Sequence, residues 1–307
     1  PADDTDGAQS DLTTGVNGDI ILVATLGDIT LNDGSDADDQ TVVANGSGRI
    51  LIDALAGSVT ANEDILSGTG IITITGAVNV DLTAGVNVAT TADISIDAET
   101  GELTMAGTAN VTATSNDARL NAAQDMTVGN ITATQVSLIS GAAIINAAGS
   151  TKNVTADNLR IAATGSVGIA GRHLTTDIGN LSASAATGSI FITEDDGVTV
   201  TDIEVTVTEF LSDAATTTEA DLAQSDLSSG GAIVLIVTQG DIFLNDGSDA
   251  DGDVVFANGG SIRLEATAGN ITASADIRSN LGNTSLYASN TIEFTAGADI
   301  SVTLAGT

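Results

Sequence analysis

One recurring pattern constrains this chain more than any other. Segments of the form Φ-x-Φ, a few small residues, Gly, then x-Φ-x-Φ return along it, where Φ is apolar. ILIDALAGSVTA begins at Ile50, ISIDAETGELTM at Ile94, LRIAATGSVGIA at Leu159, LSASAATGSIFI at Leu181 and IRLEATAGNITA at Ile262. Period-two alternation means short strands with one buried face. The Gly marks a corner too tight for a Cβ. Ile29 to Ile50 is 21 residues, and Ile72 to Ile94 and Leu159 to Leu181 are each 22. No single unit of that size can bury its inner face, but stacked neighbours can. The expected fold is all-β, a parallel β-helix of about 21–22 residues per coil. About 14 coils at ~4.8 Å each would make a rod on the order of 65–70 Å long. The rival is an antiparallel sandwich, for which Asn45-Gly46 and Asn258-Gly259 would be the hairpin signals.

The side chains suit a narrow interior. Hydrophobic residues are 42% of the chain but aromatics only 2%, so Ala, Val, Ile and Leu must fill the core. That content also excludes a disordered acidic tail. With 41 acidic against 7 basic residues the net charge is -34. Such a surface repels nucleic acid and anionic lipid and draws cations. There is no Cys, which removes disulfides, thiolate metal sites and Cys nucleophiles. No apolar run approaches the ~18 residues of a membrane-spanning helix, so membrane insertion is not expected.

A longer repeat lies above the coils. AQSDL occurs at 8–12 and again at 223–227, and GDITLNDGSDAD (27–38) matches GDIFLNDGSDAD (240–251) at 11 of 12 places. The expected organisation is one unit over 1–222 and the start of the next over 223–307. The seam, 194–222, departs from the coil pattern, and its polar second half reads as a loop or one helical turn. The chain is expected to be a piece of a longer tandem array, with further copies of its own repeat as partners.

These coils resemble the repeats of filamentous-haemagglutinin-type exoproteins and other giant repeat-bearing microbial surface proteins. The likeness covers most of 18–192 and 232–307 and is one of pattern. It implies a right-handed β-helix in an extracellular or cell-surface filament or adhesin stalk, meeting cell-surface or matrix components.

The acidic phrase is the strongest site candidate. Asp33, Asp36, Asp38 and Asp39 crowd one turn beside Gly34, and Asp246, Asp249, Asp251 and Asp253 crowd another beside Gly247 and Gly252. Ca²⁺ takes six to eight oxygen ligands, and closely spaced Asp residues in a Gly-containing loop can supply several. Asn32 and Asn245 offer further oxygens. The alternative is a solvated acidic loop between two strands. TEDDG at 193–197 is a second acidic turn with fewer ligands. His173 stands alone, and no nucleophile elbow, zinc-protease or P-loop motif occurs. A polysaccharide-active enzyme would need paired carboxylates, a basic residue and aromatic platforms, which seven basic residues and one Tyr scarcely provide. Thr73–Thr75 and Thr199–Thr201 do not recur at coil spacing, as an ice-binding face would require. Sequons begin at Asn110, Asn130, Asn153, Asn180, Asn270 and Asn283. The expected function is therefore structural and not enzymatic.

Overall fold

The computed structural model describes residues 11–34, 38–249, 251–295 and 297–303. Among them every regular element is a strand, 34 in all, and nearly all pair in parallel. The strands stack in three ladders. Ladder one runs through Ile20–Ala24, Ile50–Ala54, Ile72–Gly76, Ile94–Ala98, Ala118–Ala122, Gln135–Ser140 and the C-terminal parts of Val154–Ala163 and Leu174–Ala185. Ladder two starts at Leu12–Thr14 and passes through Gln40–Ala44, Asp64–Ser67, Asn87–Thr90, Asn110–Ala113 and Asn130–Ala133. Ladder three takes Ile29–Leu31, Val59–Ala61, Val80–Leu82, Leu103–Met105, Met126–Val128 and Ile144–Asn146, then Val167 and Ile190. Ladders one and two merge where Val154–Ala163 and Leu174–Ala185 run unbroken through both.

The apolar alternation places the core between the ladders. Ile50, Ile52, Ile72, Ile74, Ile94 and Ile96 are fully buried and stack Ile on Ile. The column that ends each ladder-one strand reads Ala54, Gly76, Ala98, Ala122, Ser140, Ala163, Ala185. Only small side chains fit there; a Cβ on Gly76 would lie 2.3 Å from the Asn79 carbonyl oxygen. Polar residues at the corners also stack. The Asn110 amide donates to Asn87 Oδ1 at 2.8 Å and that of Asn130 to Asn110 Oδ1 at 3.3 Å. Each rung thereby satisfies the next one's polar atoms as well as its backbone.

The ladders continue through the junction of the two units. Ala183 pairs with Leu227, Ile190 with Ile233 and Val198 with Ile242. The second unit nevertheless enters displaced. Leu227–Ser229 is the counterpart of Leu12–Thr14, a ladder-two strand, yet it stacks on ladder one. Ile233–Val237 is the counterpart of Ile20–Ala24 from ladder one, yet it stacks on Ile190–Glu194, which continues ladder three. Each strand of the second copy thus sits one face further round than its twin.

The seam differs from its expected form. Ile203–Phe210 pairs antiparallel with Thr216–Gln224 in a hairpin, so the seam's polar second half is a strand where a loop or one helical turn was expected. Thr216, Thr217 and Thr218 are β-branched and pair with Phe210, Glu209 and Thr208. Their polarity reflects exposure of this outer strand, not absence of structure. The hairpin lies on the outer face of ladder one, over the outward column Leu51, Thr73, Ser95, Arg119, Ser137, Arg160, Ser182. Most of these are consequently buried, Leu51 at 4%, Thr73 at 5%, Ser95 at 1% and Arg119 at 6% exposure. It is fixed at intervals. The Phe210 N–H donates to Thr73 Oγ1 at 2.9 Å, Ser95 Oγ to Glu209 Oε1 at 2.7 Å, and Gln224 Nε2 to the Ile161 carbonyl at 2.8 Å. Arg119 reaches Asp221 at 3.2 Å, Glu219 at 3.7 Å and Asp97 at 3.9 Å. An eight-residue strand spans ~26 Å, about the height of five rungs at ~4.8 Å. Because the hairpin leaves the stack, ladder one and its continuation through Leu227–Ser229, Asp253–Ala257, Asp276–Ser279 and Ile300–Val302 hold about 12 rungs, not 14.

Candidate metal centre

Aspartates of the two repeated phrases, 20 or more residues apart in sequence, meet in space. Asp226 ends the second AQSD, in the turn that returns the chain from the hairpin to Leu227–Ser229. Its φ of +66° and the bond from the Ala183 N–H to its carbonyl, 2.9 Å, fix its backbone against ladder one. Asp246, Asp249 and Asp251 come from the loop after Ile242–Leu244. One carboxylate oxygen from each of the four lies within 4.8 Å of the others. Asp226 is 7% exposed, and its Oδ1 has no hydrogen-bond partner among the described residues; nor has Asp246 Oδ1.

Neighbouring groups pin the loop without entering this cluster. Asp202 accepts the Ser225 hydroxyl proton and the Ser248 N–H, the latter at 2.8 Å. These bonds, led by Ser225, hold the Asp202 carboxyl below its usual range. Gly247 must pass close by, since a Cβ there would lie 2.2 Å from Asp202 Oδ1. The Asp226 carboxyl is pushed up to about 8, first by burial and then by the charges of Asp249, Asp251, Asp246 and Asp202. Burial first and then like charges also raise Asp249.

The first unit carries the same arrangement. Asp11, Asp33 and Asp38 bring their oxygens within 4.8 Å of one another. They are the counterparts of Asp226, Asp246 and Asp251. Asp36, counterpart of Asp249, lies outside the described residues. Asp38 Oδ1 accepts the Gln40 N–H at 3.1 Å, and Asp251 Oδ1 accepts the Asp253 N–H at 2.8 Å, so the two loops turn alike.

Two of the eight expected ligands stand apart from these clusters. Asp39 has φ +63°, and its counterpart Gly252 has φ +88°. The shared requirement at that position is a left-handed corner, which Gly meets without a side chain. Asp253 is the counterpart of Gln40, and its carboxylate pairs with Arg278 instead. Asp11 and Asp226, in turn, were not expected. The sequence did hold their signal: AQSDL is the other phrase kept in both units.

The remaining candidates resolve into structure. In the second acidic turn Glu194 is fully buried and accepts from the Thr176 hydroxyl, the Ile178 N–H at 3.1 Å and the Asp196 N–H at 3.2 Å. Asp195 pairs with Lys152. His173 Nδ1 lies 2.9 Å from Thr193 Oγ1 and its ring tilts against Phe191. Burial, and then Arg263, lower its pKa. Asn153 is fully buried, with Nδ2 donating to the Val128 carbonyl at 2.7 Å, so that sequon cannot carry a glycan in the folded chain.

No known protein family, curated protein or solved structure matches the chain.

Proposed function

We propose that this chain is a structural segment of a giant extracellular or cell-surface filament or adhesin stalk, folded as a right-handed parallel β-helix of about 21–22 residues per coil. The observation that carries the reading is the passage of all three ladders through the unit junction, with inward apolar columns in register on both sides. The registers Ile50 to Ile72, Ile72 to Ile94 and Leu159 to Leu181 are each offset by 22 residues and support that coil size, while Ile20 to Ile50 is offset by 30 and Ala118 to Val136 by 18. Right-handedness follows from the near-universal hand of parallel crossover connections. Stiffness comes from backbone ladders and a continuous narrow core, and the acidic surface keeps the rod soluble.

The unit over 1–222 and its successor over 223–307 would be joined by coil stacking rather than a linker. Further units, in the same chain or beside it, are the expected partners, with cell-surface or matrix components at the outward faces. The displacement by one face means that hairpins and acidic loops of successive units wind around the rod.

Two observations favour this over a polysaccharide-active enzyme or an ice binder. Arg49, Arg119, Lys152, Arg263 and Arg278 each already pair with a carboxylate. Thr73 lies beneath the hairpin at 5% exposure, unavailable to a surface lattice. Electron microscopy of chains with one, two and three units tests the reading. Rod length should grow by ~40 Å per unit, for about eight rungs at ~4.8 Å. Separate beads at variable distances would refute it.

A further inference from the structure

We propose that AQSD and LNDGSDAD are two halves of one Ca²⁺ site, built once per unit: Asp226 with Asp246, Asp249 and Asp251 in the second, and Asp11 with Asp33 and Asp38 in the first. The argument begins with geometry. Oxygens bound to Ca²⁺ sit ~2.3–2.6 Å from it, so ligands on opposite sides are about 4.6–5.2 Å apart. Four carboxylate oxygens all within 4.8 Å of one another therefore fit around a single ion. Four carboxylates, some bidentate and completed by water, reach the six to eight oxygens Ca²⁺ takes. Mg²⁺ is smaller, demands a stricter octahedron and releases water reluctantly.

An acidic cluster on so acidic a protein proves little by itself. The separate observation is Asp226. Its side chain is more than nine-tenths buried, points its oxygen into the cluster and leaves Oδ1 without a partner. Buried polar atoms are ordinarily satisfied, and an unpaired buried carboxylate is among the least tolerable. The charges acting on it are themselves carboxylates. A bound cation supplies both the missing partner and the missing charge. The arrangement also accounts for the repeat: the two phrases best kept between units are those that converge here.

The ion would fasten three parts of the fold. Asp226 lies at the root of the hairpin and directly on ladder one, while Asp246, Asp249 and Asp251 belong to the loop that leads into the next rung. Ca²⁺ would thereby lock the hairpin to the junction between units. This inference does not depend on the stalk reading, since ion binding and rod length are measured separately.

The test is calorimetric titration of the chelator-treated 307-residue chain with CaCl₂, against MgCl₂ and NaCl at matched ionic strength. The expected result is saturable uptake of two Ca²⁺ per chain, with a higher melting temperature that the other salts do not reproduce. Asp226→Asn and Asp11→Asn should each remove one ion, and Asp157→Asn, at an exposed carboxylate elsewhere, should remove none. Without Ca²⁺, Asp226→Asn should melt no lower than the native chain, because it replaces a buried acid that has no counter-charge there with a neutral amide of the same shape; with Ca²⁺ it should melt lower. If that variant fails to fold, Asp249→Asn, at an exposed ligand, provides the same stoichiometric reading. Equal responses to Ca²⁺ and Mg²⁺, unchanged stoichiometry in these variants, or equal losses in Asp157→Asn would overturn the site and leave diffuse counter-ion condensation.

Discussion

Arg119 is the point at which the hairpin's attachment can be measured. Its side chain and that of Asp221 are each 8% exposed, and Nε lies 3.2 Å from Asp221 Oδ2. Asp97 and Glu219 are further away and wetter, at 27% and 48% exposure, so they add little. Arg119→Met keeps the apolar stem but takes away the ion-pair partner of the buried Asp221 carboxylate, leaving it only the charge of Arg160, which lies beyond ion-pair distance. Removing one partner of a buried pair typically costs about 3–5 kcal/mol. At about 1.4 kcal/mol per tenfold, hairpin opening should become roughly 10²- to 4 × 10³-fold more frequent. Amide hydrogen exchange reads this directly. Protection should fall by that factor in Ile203–Phe210 and Thr216–Gln224 while Ile94–Ala98, which holds its ladder bonds without the hairpin, changes little. The double variant Arg119→Met, Asp221→Leu replaces the pair with apolar groups and should recover most of the loss. A loss below about 1 kcal/mol, the level of a surface pair, would refute the reasoning. So would a loss shared equally by the core rungs.

Other perturbations test other parts of the argument. Phe210 is fully buried with Arg49 stacked 4.1 Å over its ring, so Phe210→Ala should destabilise the hairpin tip by about 3–5 kcal/mol, seen as early proteolysis near 210–216. Gly70→Ala puts a Cβ 2.0 Å from the Gly48 carbonyl oxygen, a backbone atom that cannot yield locally; stacking there should suffer by about 3 kcal/mol in denaturant titration. Burial raises the Glu194 carboxyl above its ordinary 4.5, so the folded state holds this proton more tightly than the unfolded one. Stability should therefore rise as pH falls from neutral through the folded-state pKa toward 4.5, and drop again as pH is raised. Burial moves Asp53, Asp81, Asp97 and Asp117 the same way. Glu194→Gln should flatten part of this slope in thermal melts, and an unchanged slope would remove Glu194 from the account.

The acidic loops show why a site is harder to read than a fold. The clustering of Asp33 with Asp38, and of Asp246 with Asp249 and Asp251, was legible because each set crowds one phrase. Asp11 and Asp226 were not, because each stands alone in its own segment, and only the return of the chain brings it back. Asp39 and Asp253 crowd the same phrases but lie outside both clusters. Density of carboxylates in sequence does not distinguish a ligand from a left-handed corner or from the partner of an arginine on the next rung.

Local periodicity by itself determined that the coils are built of strands, which residues face inward, and that stacking must cover what no single rung can bury. Those features depend only on alternation and spacing, and each rung repeats them. The tertiary structure alone decided the hairpin, the one-face displacement of the second unit and the meeting of Asp226 with its loop. Each depends on an accumulated sum of residues along the chain. A few insertions, invisible in any one rung, determine which face a strand reaches. The polar Thr216–Gln224 strand has no apolar alternation of its own to announce it; it is held by what lies beneath, Arg119 and Arg160 among them, and that surface exists only once the rungs are stacked.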